Sequence, residues 1–124
     1  MARILVAEDD PLYRELVETM LVRDGHAVVA VANGRQCLAA LAAEAFDAVV
    51  ADLFLPNSGG VESLAAIRAT GVAVPVVGMI GGRNGMAGAE AGALIDLAAD
   101  WVLAKPFTDG ELRTAIASVL RKQA

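Results

Sequence analysis

The 124-residue chain has a single cysteine, Cys37, so no disulfide can close within it. It opens with no basic, apolar leader of the kind that directs secretion, and the simplest expectation is a cytoplasmic protein. Cations are in short supply: 10 Lys and Arg stand against 15 Asp and Glu, giving a net charge of −5 and a pI near 4.7. That balance argues against a nucleic-acid or anionic-membrane surface and favours cationic partners or metal ions. Long apolar runs are missing too. The uncharged stretch Gly71–Gly82 is too short to cross a bilayer and is interrupted by Pro75 and glycines. No repeat, linker or low-complexity tail divides the chain. Its 56% hydrophobic content, inflated by 26 alanines, fits one domain over residues 1–124 with a full core and no output domain.

What is present alternates. Short β-rich runs occur at Ile4–Ala7, Ala27–Val31, Ala48–Ala51, Pro75–Met79 and Trp101–Ala104. They are apolar throughout, as suits strands covered on both faces. Amphipathic segments lie between them. Leu12, Leu16, Val17, Met20 and Leu21 are expected to share one buried helical face, as are Leu112, Ile116, Val119 and Leu120. Asn33 with Gln36 and Thr108 with Glu111 read as N-terminal capping pairs, and Gly25 and Gly71 sit where helices should stop. Five strands and five helices in alternation predict an α/β fold, a parallel sheet with helices on both sides.

In such a fold the functional crevice lies beyond the carboxyl ends of the strands. The first strand runs out in Glu8, Asp9 and Asp10, the third in Asp52, and the fifth in Lys105. Three adjacent carboxylates repel and raise one another's pKa unless something cationic sits among them. Mg²⁺ accepts a few carboxylates, retains waters and leaves room for a phosphate oxygen, so the acid pair with Asp52 forms a plausible half-shell for it. A carboxylate can also attack a phosphoryl group while a metal and a lysine neutralise the transferring oxygens.

These residues, through "ILVAEDDPLYRELV", "FDAVVADLFLPNSGG" and "VLAKPFTDGEL", resemble the response regulator receiver domain of two-component signalling, over essentially the whole chain. The resemblance implies a doubly wound sheet of order 2-1-3-4-5, the flavodoxin-like receiver fold. It implies that Asp52 accepts phosphate and that Asp9 ligates Mg²⁺ directly, with Glu8 holding it largely through water. The Phe54 backbone carbonyl would be a further ligand, Lys105 would pair with the phosphoryl group, and the Lys105–Pro106 bond would be cis. Pro56 and Gly60 match the turn after the phosphorylated strand. The implied partners are a histidine kinase or phosphotransfer protein and an unknown target protein in trans, with no nucleic acid and no membrane.

Two positions depart from the family. Where the fourth strand ends in Ser or Thr, this chain has Ile80; Gly81 follows, whose backbone N–H can still reach a phosphate. Where the fifth strand carries Tyr or Phe, it has Val102, and Trp101 comes one residue too early and faces the other way. Both halves of the hydroxyl–aromatic switch are missing. The remaining residues read plainly: Asp10 before Pro11 as a helix cap, His26 as an exposed turn residue, Cys37 as packing, Trp101 as a strand residue under a helix, and "GGRNGMAG" as a flexible loop. The expected function is a phospho-accepting receiver that catalyses at most its own phosphorylation and dephosphorylation. The alternatives are a receiver-fold interaction module with a muted switch or none, and a Mg²⁺-dependent phosphohydrolase. The last would carry an Asp-x-Asp pair and a capping insertion, and neither is present.

Overall fold

The computed structural model describes residues 1–53, 60–80 and 99–121. Five parallel strands, β1 (Arg3–Ala7), β2 (Ala27–Val31), β3 (Ala48–Asp52), β4 (Val76–Ile80) and β5 (Trp101–Ala104), form one sheet in the order β2-β1-β3-β4-β5. Four helices are described: α1 (Pro11–Arg23), α2 (Gly34–Ala43), α3 (Gly60–Ala69) and α4 (Asp109–Arg121). The helix expected between β4 and β5 falls outside the described residues.

Continuous apolarity in the central strands has the expected cause. β3 is buried along its whole length, and its alternate residues feed two cores. Val50 joins Ile4, Val6, Met79, Leu112 and Ile116 on one side of the sheet. Val49 and Ala51 join Leu5, Cys37, Leu41 and Leu64 on the other. Trp101 and Val102 obey the same period of two, packing against opposite cores.

The helix signals act as read. Thr108 and Glu111 cap α4 reciprocally: the Glu111 N–H donates to Thr108 Oγ1 at 3.0 Å, and the Thr108 N–H donates to Glu111 Oε1 at 2.9 Å. Asn33 Oδ1 accepts from the Gln36 N–H at 2.9 Å, while Gln36 Oε1 reaches back to the Ala32 N–H. Gly25 and Gly71, at φ +92° and +78°, take the left-handed conformation that releases the chain from α1 and α3. The Lys105–Pro106 bond is cis.

Three expectations need correction. Leu12 and Leu16 do not share the buried face of α1; they are 78% and 45% exposed, and the inward row is Tyr13, Val17, Met20 and Leu21. At 100° per residue, Leu12 and Leu16 lie one row round from Tyr13 and Val17, and the tyrosine takes the inward place assigned to leucine. His26 is half-buried, its Nδ1 accepting the Ala2 N–H at 3.1 Å. Gly60, matched to a turn, begins α3.

Candidate functional site

Parallel register sets the rim. Ala7 of β1 pairs with Ala51 of β3, and Asp52 pairs with Met79 of β4, so Glu8 and Asp52 emerge at neighbouring strand ends. The Glu8 N–H donates to the Val31 carbonyl at 3.0 Å, carrying β1 one residue beyond its ladder. At the far side, the Lys105 N–H donates to the Ile80 carbonyl at 2.7 Å, which ties the lysine's backbone to the end of β4. The first helix then begins immediately: Asp10 caps it, accepting from the Leu12 N–H at 3.0 Å, and its own N–H donates to Glu8 Oε2 at 3.1 Å. Asp10 is a cap, as read, and the backbone donor it supplies helps hold the Glu8 carboxylate.

Glu8, Asp9 and Asp52 each bring a carboxylate oxygen within 4.8 Å of the others. Glu8 is fully buried and Asp52 nearly so at 6% exposure, while Asp9 is open to solvent. Lys105 enters this cluster from β5. Its Nζ donates to Asp52 Oδ2 at 2.9 Å and also to Glu8 Oε1. The cation that three crowded acids require is therefore in place. Burial pushes the Glu8 carboxyl up to about 7; the bonds from Lys105 and from the Asp10 N–H oppose that rise, and the Asp52 charge adds to it. Burial alone would lower the Lys105 ammonium, but its bonds to Glu8 and Asp52 outweigh burial and hold it above its ordinary value.

The donor set suits a hard divalent cation. Carboxylates on two neighbouring strand ends, one exposed and two buried, give oxygen ligands on one side and leave the solvent side for water or a phosphate oxygen. No sulfur or imidazole ligand belongs to the group. Of the residues expected here, Glu8, Asp9, Asp52 and Lys105 converge. Phe54, Pro56 and Gly81 lie outside the described residues. Ile80 and Val102 lie on one face of the sheet and are half-buried against the core beside α2 and α3. Cys37 is buried, and burial pushes its thiol up to about 11, as an inert packing residue should be.

Sequence reasoning missed two contributors. Arg14, half-buried on α1, donates from Nη1 to the Glu8 backbone carbonyl at 2.9 Å. Tyr13, beside it, presents its ring to Lys105, whose Nζ lies 4.7 Å from the ring centroid. The only available signal was their place one helical turn after the acid cluster, and an aromatic at helical spacing reads first as core.

Comparison with known proteins agrees with this geometry. The response regulator receiver domain family matches residues 4–117. The transcriptional regulatory protein TcrA of Mycobacterium tuberculosis is 38% identical over 120 residues, which cover 97% of this chain and 46% of TcrA. The chain thus spans about half the length of that relative. Among solved structures, the receiver domain of the sensor histidine kinase PA1611 of Pseudomonas aeruginosa superposes with a TM-score of 0.84 at 29% identity, covering 97% of this chain and 98% of that one. That structure has a magnesium ion coordinated in its active-site cleft. The response regulator TrrA of Thermotoga maritima, in complex with Mg²⁺ and BeF, gives 0.83 at 27% identity, covering 97% and 100%. With its strand order, its acid cluster and a family match over nearly its whole length, the chain belongs to the response regulator receiver domains of two-component signalling.

Proposed function

We propose that residues 1–124 act as one phospho-accepting receiver domain, with Asp52 as the acceptor. The observation that carries this reading is the placement of Lys105 Nζ 2.9 Å from Asp52 Oδ2 inside a three-carboxylate cluster. A carboxylate oxygen of Asp52 bonds to phosphorus as the P–N bond of a phosphohistidine breaks, and the departing imidazole nitrogen takes up a proton. The phosphohistidine belongs to a histidine kinase or phosphotransfer protein. Glu8, Asp9, Asp52 and the Phe54 backbone carbonyl would hold Mg²⁺, which supplies charge neutralisation to the transferring oxygens. Lys105 pairs with the phosphoryl group once it is on Asp52, and the Gly81 N–H adds a neutral donor. The chain is a regulatory element that turns over nothing but its own phosphoryl group.

Curated relatives about twice as long, one of them named a transcriptional regulatory protein, bear on the target. The net charge of −5 makes this domain a poor ligand for a nucleic acid itself, so the phosphorylation-dependent partner is a protein surface, in a cytoplasmic setting. Ile80 and Val102 favour a second reading, a receiver-fold interaction module whose phosphorylation switch is muted. Incubation with Mg²⁺ and acetyl phosphate, followed by intact mass measurement, tests phosphoryl acceptance, and the spectral change that accompanies it tests whether the switch is muted. The first reading expects a gain of one phosphoryl group in wild type and none in Asp52→Asn; a gain of the same size in the variant refutes the assignment.

A further inference from the structure

Lysine is a poor choice for holding a charge in one place. Its ammonium rides on a flexible four-carbon stem, and the carboxylates that hold Lys105 here are the groups a metal would claim. Yet the Lys105 side chain is only 16% exposed, and a third contact fixes it: its Nζ sits 4.7 Å from the centroid of the Tyr13 ring. A cation within about 6 Å of an aromatic centroid is attracted by the ring quadrupole. The ring has an aromatic neighbour of its own. The Tyr13 and Phe107 rings meet edge to face, centroids 5.6 Å apart at 80°. Phe107 is buried and stands two residues after Lys105, so one short segment supplies Tyr13 with both the ammonium and an aromatic neighbour.

We propose that Tyr13 is a positioning residue for phosphoryl uptake, its ring anchoring the Lys105 ammonium while that ammonium exchanges a carboxylate partner for the incoming phosphoryl oxygens. The physical reason lies in the symmetry of the contact. A hydrogen bond to Glu8 or Asp52 fixes where one N–H points, whereas attraction to the ring depends on where Nζ lies and not on which N–H faces which acceptor. The ring therefore keeps Nζ in place while its N–H bonds are reassigned. Placement of charge before the transition state forms is what phosphoryl transfer asks of the protein. This inference rests on the reading of the site as a phospho-acceptor.

The test compares Tyr13→Phe, which keeps the ring, with Tyr13→Leu, which keeps only the bulk, each alone and combined with Lys105→Ala. At saturating Mg²⁺ the rate of uptake from acetyl phosphate should fall about fivefold in Tyr13→Leu and stay within about twofold of wild type in Tyr13→Phe, the range a partly buried cation–ring contact allows. Against Lys105→Ala, Tyr13→Leu should cost nothing further, because the ring then has no charge to hold. An equal loss in both backgrounds, or a Tyr13→Phe variant as slow as Tyr13→Leu, overturns the proposal in favour of packing. The ammonium's place is read independently by NMR. The Lys105 ε-methylene protons should be shifted upfield by the ring in wild type and Tyr13→Phe and released in Tyr13→Leu; unshifted wild-type protons overturn the proposal. A wild type with shifted protons that takes up no phosphoryl group refutes the acceptor reading and, with it, the role in uptake, leaving the ring contact as structure alone.

Discussion

The buried Glu8 should make the metal-free domain less stable as pH rises through neutrality. Its carboxyl is raised from 4.5 to about 7 in the folded chain, chiefly by burial. Between those values the folded state binds more protons than the unfolded state, so stability is fully present below about 4.5 and is lost as pH rises through about 7. At 1.36 kcal/mol per pKa unit the whole loss is about 3 kcal/mol, of which about 2 falls between pH 5.5 and pH 8. For a domain of this size that corresponds to a fall of roughly 7 °C in Tm. The raised Lys105 ammonium adds no slope here, because its stabilisation is retained until pH rises past its ordinary value of 10.5. The assay is thermal unfolding in chelator at several pH values, for wild type and Glu8→Gln. The amide cannot titrate, so the slope should flatten in the variant whatever its absolute stability. Saturating Mg²⁺ should flatten the wild-type slope too, since the cation supplies the charge that burial removes from water. Parallel slopes in wild type and Glu8→Gln would refute the account of Glu8 as a carboxylate held against its solvation.

Further outcomes follow from the same geometry. Mg²⁺ at a hundredfold excess over its Kd should stabilise wild type by about 2.7 kcal/mol, and Asp9→Ala should lose most of that gain in a thermal-shift titration; equal gains would remove Asp9 from the metal site. Thr108→Ala should destabilise the fold by about 1 kcal/mol in urea unfolding by undoing the reciprocal cap of α4, and Thr108→Ser should restore it. Ile80→Thr should enlarge the spectral difference between the free and beryllofluoride-bound protein around residues 80–90; no enlargement beyond wild type would show that Ile80 does not mute the switch.

Strand positions and helix caps were legible because each rests on a local rule: the β-branched runs, the Thr108–Glu111 spacing, the glycines after α1 and α3. The rim followed from those, since parallel strands deliver their ends to one edge, and Glu8, Asp9, Asp52 and Lys105 meet there as expected. The strand order was not local information; alternation predicts a parallel sheet without ordering it, and only family resemblance supplied 2-1-3-4-5. The inward face of α1 was misread because two adjacent rows of that helix are apolar, and the choice between them depends on which one meets the sheet. Tyr13 escaped notice for the same reason. Its role depends on a lysine 92 positions away, and no spacing along α1 encodes that contact.

The two departures from the family acquire a physical sense once the sheet is ordered. Gly78 pairs with Val102 and Ile80 with Ala104, so Ile80 and Val102 stand on the same face of neighbouring strands, packed against one apolar core. A hydroxyl at the end of β4 would gain a hydrogen bond when a phosphoryl group arrives, worth about 1.5–3 kcal/mol to a charged acceptor. Isoleucine gains none, and leaving its place would expose the apolar surface it already buries. Phosphorylation shifts an equilibrium only by its differential affinity for the two arrangements, and here one contributor to that difference is absent while the resting arrangement is held by packing. On the proposed reading, acceptance of the phosphoryl group depends on Asp52, the acid pair and Lys105, none of which Ile80 replaces. On that reading uptake and response are separable, and Ile80→Thr should change the second while leaving the first within reach of wild type.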